Sequence, residues 1–152
     1  MRTARIQNAG GRLPLARRFT ALHARLYRRS GGRLGKRWFG ARVMVLETTG
    51  RRTGRTRATP VLYVPDGDDL LAVPANAGND RVPAWWLNLQ AHPKAVAVVG
   101  GKRRSVVARL AGEAEAGRRW AVYRRAYARV DEYREFTERD LPLVVLEPIP
   151  DR

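Results

Sequence analysis

A cluster of arginines and glycines is the part of this sequence best suited to bind a ligand. Its members fall within eight residues: Gly50, Arg51, Arg52, Gly54, Arg55 and Arg57. Arginine binds phosphate and carboxylate through paired hydrogen bonds, which lysine cannot do, and glycine lets a ligand approach the backbone. The cluster therefore predicts a ligand with several negative charges. The alternative interpretation is an exposed hairpin loop in a generally basic protein.

Two tryptophans and an amide follow a loop of small residues at 75–80 and suit a flat, polar ring. Trp85 and Asn88 are three residues apart, so they share one face of a helix. An indole beside an amide can hold such a ring, although packing in a core explains Trp85 and Trp86 equally well. Both interpretations stay open on the sequence alone.

A row of aromatic residues near the C-terminus has helical spacing. Trp120, Tyr123, Tyr127 and Val130 follow one another at intervals of three, four and three residues, which is typical of a buried helical stripe. Tyr133 adds a further phenol beyond an expected bend. Phenol groups can also line a site for a flat substrate and donate a proton to it.

Other kinds of catalytic site have little support. The chain has no cysteine, and its two histidines, His23 and His92, are far apart, so we expect no metal. The glycine-rich nucleotide motifs and the G-x-S-x-G motif of serine hydrolases are absent. Glu47 has no evident carboxylate partner for paired acid–base chemistry.

The net charge of +16 is concentrated near the N-terminus. Residues 1–42 carry eleven arginines, one lysine and no acidic residue, whereas the other 110 residues carry 18 basic and 14 acidic side chains. We predict residues 1–37 to be a basic N-terminal segment with an amphipathic helix over residues 14–30. Such a helix can pack on the rest of the protein or lie on an anionic membrane.

Short strands separated by turns dominate residues 38–150, the predicted folded domain. Six strands are expected, at Val43–Thr48, Arg57–Val64, Leu70–Ala75, Ala95–Val99, Ser105–Leu110 and Leu141–Leu146. Helices are expected over residues 84–91 and over residues 113–139, the second in one or two pieces. Tight hairpins with few crossovers predict an α+β fold, in which a mostly antiparallel sheet closes into a small barrel with flanking helices.

Four passages of the chain are motifs that occur together: Thr48–Gly54, Arg57–Pro60, Pro83–Pro93 and Leu141–Pro148. The first contains T-T-G-R-x-T-G and the third contains W-x-L-N-L-x-A-x-P. In this order they resemble the deazaflavin (coenzyme F420)-dependent nitroreductase and quinone reductase family. The resemblance implies a split β-barrel related to flavin-reductase and FMN-binding proteins. It also implies hydride transfer from reduced F420 to a quinone, enone, nitro compound or similar small acceptor.

The resemblance also implies roles for particular residues. Arg52 and Arg57 would grip the anionic tail or phosphate of the cofactor. Its ring system would be bordered by Pro60, Ala75, Asn76, Ala77, Trp85 and Asn88. The substrate pocket would comprise Leu62, Tyr127, Val130 and Tyr133, and Tyr127 or Tyr133 would be the proton donor.

Three positions depart from the pattern of the family's nitro-reducing members. Asn76 stands where they have a lysine, Val130 replaces the middle tyrosine of a cluster, and Leu62 replaces an aromatic residue. The use of F420 is therefore better supported than the reduction of nitro compounds.

The expected location and partners follow from the acceptor and the charge. We expect a cytoplasmic protein with a small-molecule hydride acceptor. Because quinones reside in membranes, contact of residues 14–30 with the inner face of the plasma membrane is a further expectation. The alternative is a basic barrel that binds nucleic acid or a membrane surface without redox activity, but no motif that reads RNA or DNA is present. The oligomeric state is left open.

Overall fold

The computed structural model describes residues 37–38 and 41–150 of the chain. The predicted basic segment at residues 1–37, of which only Arg37 is described, and its helix at 14–30 therefore stay predictions. The described strands and helices are β1 (Arg37–Trp38), β2 (Ala41–Thr49), β3 (Thr56–Asp66), β4 (Asp69–Ala72), α1 (Ala84–Ala91), β5 (Lys94–Val99), β6 (Lys102–Leu110), α2 (Glu113–Ala126), α3 (Val130–Arg134) and β7 (Val144–Pro148). A single turn of 3-10 helix, Asn76–Gly78, lies between β4 and α1.

Six of the described strands form one antiparallel barrel. Their order is β2-β3-β4-β7-β6-β5, and residues 96–98 of β5 pair back with residues 45–47 of β2, which closes the barrel. β1 pairs with the start of β2. The pairing of β2 with β5 covers edges of these two strands through which a sheet could associate with other chains. The predicted α+β barrel of six antiparallel strands with flanking helices is confirmed.

Apolar residues at alternate strand positions fill the interior of the barrel. Met44 and Leu46 on β2 are fully buried there, because successive side chains of a strand point to opposite faces. α1 covers one end of the barrel and packs Trp85, Trp86 and Leu89 into the same core. Each fully buried large apolar side chain contributes about 1.5–3 kcal/mol to folding.

A second apolar core lies outside the barrel, between the sheet and the two C-terminal helices. Tyr123 and Tyr127 belong to the predicted helical stripe, and both pack with Leu71 of β4 and Val145 of β7. Val130 on α3 is completely enclosed in this core. The stripe therefore serves the packing role that its helical spacing indicates.

A network of ion pairs attaches α2 to the β3–β4 hairpin. The guanidinium of Arg119 is almost buried and lies 3.1 Å from Asp66, 2.8 Å from Asp69 and 2.8 Å from Glu115. Arg118 forms a second, two-point pair with Asp66 at 2.9 and 3.0 Å. Because a buried cation is stable only with partners, the network fixes where α2 lies on the sheet.

The helix predicted over residues 113–139 is broken between α2 and α3 and ends at Arg134. Arg124 donates a hydrogen bond to Asp131 at 3.0 Å across the break. Arg134 stacks on Trp120 with its guanidinium carbon 4.6 Å from the ring centre, and such a cation–π contact is favourable. These contacts hold α3 at a set angle to α2.

Two strands are shorter than predicted. β4 lacks residues 73–75, because Pro74 has no N–H to donate to a sheet and the backbone then turns into the 3-10 turn. β7 lacks residues 141–143, where Pro142 has the same effect. The predicted bounds of these two strands were wrong because residues 73–75 and 141–143 are apolar, as strand residues often are.

Candidate functional site

The strand pairings bring three predicted parts of the site to one end of the barrel. The arginine turn (residues 50–57) joins β2 to β3 at this end. The start of β5 pairs with the end of β2, the end of β6 with the start of β5, and the start of β7 with the end of β6. The end of β4 pairs with the start of β7, so it lies at the same end of the barrel. The loop that leaves β4, here called the left-handed loop (residues 74–79), and α1, which precedes β5, therefore lie near the arginine turn.

The arginine turn is folded tightly around Gly50. Its N–H donates to the carbonyl of Arg55 at 2.8 Å, and its own carbonyl accepts from the N–H of Gly54 at 2.7 Å. A β-carbon at Gly50 would lie 3.0 Å from that Arg55 oxygen and 3.1 Å from the Thr53 hydroxyl. Only glycine fits without displacing the backbone. The backbone of this turn therefore has a defined conformation.

All four arginines of the turn are exposed. Arg52, Arg55 and Arg57 have no acidic partner among the residues that the structure describes. Cations that are close in sequence and lack acidic partners form a positive surface that attracts anions. This donor set fits a ligand with several phosphate or carboxylate groups.

Asn88 attaches the arginine turn to α1. Its buried amide oxygen accepts hydrogen bonds from the N–H of Arg51 at 3.2 Å and from the guanidinium of Arg51 at 3.4 Å. Its amide nitrogen donates to the Thr48 hydroxyl at 3.0 Å. These contacts position the turn. The contact of Asn88 with a cofactor ring stays a prediction, and so does that of Trp85, which is buried in the barrel core.

The left-handed loop has an unusual backbone. Asn76 and Ala77 have φ angles of 48° and 53°, and Gly78 follows at 77°. For residues other than glycine this conformation costs about 1–3 kcal/mol each and is typical of functional sites. The loop is closed by bonds from the N–H of Gly78 to Ala75 and from the N–H of Asn79 to Asn76. The backbone N–H groups of Asn76 and Ala77 donate no backbone hydrogen bond to any residue that the structure describes.

Strand β3 has an open edge beside this loop. β4 pairs with β3 only through residues 64–66, whereas β2 pairs along residues 56–63. Within the described residues, the second edge of β3 over 56–63 is thus without a strand, and this is the split in the barrel. Pro60 lies on this stretch, and proline is tolerated at such an edge. Leu62 packs against the outer core that contains Ala75.

The two tyrosines predicted to donate a proton are in direct contact. The hydroxyl groups of Tyr127 and Tyr133 are 2.6 Å apart, and the two side chains are 4% and 9% exposed. Burial raises the pKa of Tyr127, so its phenol is protonated at neutral pH. Together with Leu62 they belong to the outer core, and their role in a substrate pocket stays a prediction. Val130 is only 1% exposed and packs beneath them.

Arg139 is a residue of this site that sequence reasoning missed. Its guanidinium donates to the carbonyl oxygens of Pro74 and Ala75, both at 2.9 Å, and of Asn79 at 3.0 Å. Partial burial lowers its pKa. The only signal in the sequence was an arginine at the end of a helical run, which does not reveal partners some sixty residues away.

Two further features are absent from the residues that the structure describes. Nowhere in 37–38 and 41–150 do three or more His, Asp or Glu side chains gather as a metal site requires. Among the same residues, no helix is both long and apolar enough to span a membrane.

An antiparallel barrel with an open strand edge, an arginine turn and a strained loop at one end defines a split β-barrel for a flat, anionic cofactor. The family model for F420H(2)-dependent quinone reductases matches residues 19–148. The chain belongs to this family. It is therefore an oxidoreductase that uses reduced F420, and the predicted family, cofactor and reaction class are confirmed. The alternative of a barrel without redox activity is not favoured.

Individual relatives agree with this assignment. An F420H(2)-dependent quinone reductase of Mycobacterium tuberculosis is 37% identical over 129 residues, which cover 82% of this chain and 87% of the relative. A solved structure of an F420-H2 dependent reductase is 26% identical, with a TM-score of 0.62 over 69% of this chain and 93% of that one. A domain-swapped dimer has the same identity and a TM-score of 0.63, over 69% of this chain and 79% of that one.

Proposed function

We propose that reduced F420 binds along the open edge of β3, between the arginine turn and the left-handed loop, and that a quinone is the acceptor. The observation that carries this proposal is the placement of two complementary donor sets near one strand edge. One set is three guanidinium groups without acidic partners, and the other is two N–H groups outside the bonding of their loop.

The anionic tail of F420 matches the arginine turn. The cofactor carries a phosphodiester and an oligoglutamate chain, whose charges suit the paired donors of arginine. Arg52 and Arg57 are the proposed ligands, and Arg55 is close enough in the turn to add to their field. Asn88 holds the turn through Arg51, so the backbone of the turn needs little reordering when the tail binds.

The ring system matches the left-handed loop and the strand beside it. Ala75 and Ala77 have small side chains that leave room for a flat ring, and Pro60 offers an apolar surface on β3. Successive N–H groups in a left-handed conformation form a concave donor site. The N–H groups of Asn76 and Ala77 would bind the polar edge of the ring.

The tyrosine pair is placed to supply a proton to the acceptor. Bound F420 supplies the hydride, and reduction of a quinone by hydride then requires one proton. Tyr133 is the more exposed member, and its hydroxyl is bonded to that of Tyr127. A proton given up at either hydroxyl can be replaced through the other, while Leu62 keeps water from part of the site.

Direct binding tests this function. Titration of the full-length protein with oxidised and reduced F420 at low salt should show saturable binding, and menadione should support turnover in the presence of reduced F420. Absence of F420 binding under these conditions would refute the proposed site. We further propose that no metal takes part, so turnover should survive dialysis against EDTA.

We also propose that residues 14–30 contact an anionic membrane at the inner face of the plasma membrane, where quinones would be available. The supporting observation is a run of 42 residues with twelve basic and no acidic side chains. Full-length protein should sediment with anionic vesicles and not with neutral ones. A variant with Arg17→Gln and Arg18→Gln should sediment less, and equal sedimentation would contradict the proposal.

A further inference from the structure

The left-handed loop does not hold its conformation by local sequence alone. Asn76 and Ala77 both adopt positive φ angles. Asparagine tolerates this conformation better than most residues, whereas alanine seldom adopts it. The two hydrogen bonds within the loop are donated by Gly78 and Asn79, after the strained residues. Locally, the side-chain amide of Asn76 also donates to the carbonyl oxygen of Arg81 at 2.9 Å. Ala77 has no such side-chain bond, so contacts from elsewhere in the fold help to keep the loop in this conformation.

Those contacts come from the end of α3 and the segment that follows it. A β-carbon at Gly78 would lie 2.9 Å from Cβ of Phe136 and 3.2 Å from the carbonyl oxygen of Tyr133, so the loop packs directly on this segment. Arg139 then bridges the loop. It binds the carbonyl oxygens of Pro74 and Ala75 before the strained residues and that of Asn79 after them.

We propose that Arg139 is a positioning residue for the cofactor, which it does not touch itself. By joining the two ends of the loop, it keeps the N–H groups of Asn76 and Ala77 in the arrangement that receives the ring. This inference rests on the proposed function, since it assigns the loop to F420. It adds a residue outside every motif of the sequence that acts through backbone carbonyls.

Arginine suits this role for a geometric reason. A guanidinium is flat and rigid, and its three nitrogens can serve three carbonyl oxygens at once. Lysine keeps the charge but concentrates its donors on one nitrogen, which cannot reach both ends of the loop equally. Partial burial strengthens the three hydrogen bonds, because the surroundings screen them less than water does.

The test compares Arg139→Lys with Arg125→Lys, an exposed position on α2 that makes the same chemical change away from the loop. Affinity for oxidised F420 is measured by quenching of its fluorescence. Amide hydrogen exchange of Gly78 and Asn79, whose N–H groups are bonded within the loop, is measured without cofactor. We expect Arg139→Lys to bind F420 about tenfold or more weakly, to raise the KM for reduced F420 more than that for menadione, and to exchange these amides faster. Arg125→Lys should match the wild type in all three.

A second variant keeps the inference testable if Arg139→Lys disturbs folding, or if the lysine makes enough of the same hydrogen bonds to hold the loop. Arg139→Ala leaves a space that a free guanidinium ion can enter. Millimolar guanidinium should restore part of the F420 affinity of Arg139→Ala and leave that of the wild type unchanged, which a general stabilising effect would not do. Wild-type affinity in both variants, or unchanged amide exchange in the loop, would overturn the inference.

The outcomes also separate this inference from the proposed function. If the wild type fails to bind F420, the proposed function falls and the cofactor-positioning role falls with it. If the wild type binds F420 and the Arg139 variants bind equally well, only the inference is wrong.

Discussion

The amide oxygen of Asn88 accepts hydrogen bonds from both the backbone N–H and the guanidinium of Arg51, at 3.2 and 3.4 Å. This contact joins α1 to the arginine turn across 37 residues of sequence. Asn88 therefore holds the backbone of the turn that we propose as the anion site. The first prediction concerns this link.

Asn88→Ala should lower the free energy of unfolding by about 1–3 kcal/mol, because the N–H of Arg51 and the buried hydroxyl of Thr48 lose their partner. It should also weaken F420 binding, since the turn is no longer held. Urea unfolding and cofactor titration measure the two effects. Gln90→Ala, at an exposed position of the same helix, is the control and should leave both unchanged.

Arg52→Ala and Arg57→Ala should each weaken F420 binding by about 1–3 kcal/mol, the usual contribution of a hydrogen bond to a charged group. Stability should hardly change, because both side chains are exposed. Titration at several salt concentrations should show a smaller salt dependence in each variant. Arg104→Ala is a matched control, since Arg104 is exposed on β6 close to the Gly100–Gly101 hairpin, away from the arginine turn. Normal binding by both turn variants would exclude the turn as the anion site.

Tyr133→Phe should lower turnover of menadione and leave F420 affinity nearly unchanged, because it removes a hydroxyl without changing the packing. Tyr127→Phe should have a smaller effect if Tyr133 faces the acceptor. Burial raises the pKa of Tyr127, so loss of its proton should not limit the rate anywhere between pH 6 and about 10, the ordinary phenol pKa. Equal losses of binding and turnover in Tyr133→Phe would argue against a proton-donor role.

Gly78→Ala should destabilise the protein by about 2–4 kcal/mol. The new β-carbon would lie 2.9 Å from Cβ of Phe136, at a residue with a φ of +77°. Overpacking and a left-handed alanine both add to the cost. Gly117→Ala is the matched control, because nothing lies within 4 Å of its β-carbon position on α2. That substitution should stabilise the helix by about 0.5–1 kcal/mol, as thermal unfolding of both variants would show.

Acid should weaken the attachment of α2 to the barrel. Hydrogen bonds from Arg109, and then from the N–H of Gly112, lower the pKa of Glu115 from 4.5 to about 2. A carboxyl with a lower pKa in the folded state stabilises the fold above its unfolded pKa. This contribution should be complete above about pH 4.5 and should disappear as the pH falls toward 2.

Urea midpoints measured between pH 6 and pH 3 check this dependence. Glu115→Gln should flatten the acid side of the profile. Glu113→Gln, at an exposed position two residues earlier on α2, should not. Identical slopes in the wild type and Glu115→Gln would contradict the assigned role of Glu115.

Local sequence determined the barrel strands and the arginine turn. In β2, a run from Val43 to Leu46 is apolar on both faces, and it is buried on both faces in the barrel wall. Gly50 and Gly54 mark the turn for different reasons. A side chain at Gly50 would collide with the backbone of Arg55, and Gly54 has a positive φ angle. Such features depend on residues a few positions apart, so a sequence displays them directly.

The motif strings of the sequence also identified the family and the cofactor. They did not show what each residue touches. Asn88 was predicted to face a cofactor ring, and the fold directs its amide to Arg51 and Thr48. The apolar runs at 73–75 and 141–143 resembled strand, and proline ended the pairing at both.

Tertiary structure alone decided how the parts of the site are held together. The bonds of Arg139 to the left-handed loop span 60 to 65 residues, and those of Asn88 span 37 to 40. The open edge of β3 exists because β4 pairs with only its last three residues. The extent of this pairing depends on both strands and cannot be read from the sequence of either strand alone. Local preference and side-chain spacing carry no information about such distant partners. They meet only because closure of the barrel and the two helices packed on it leave one arrangement that buries the apolar residues.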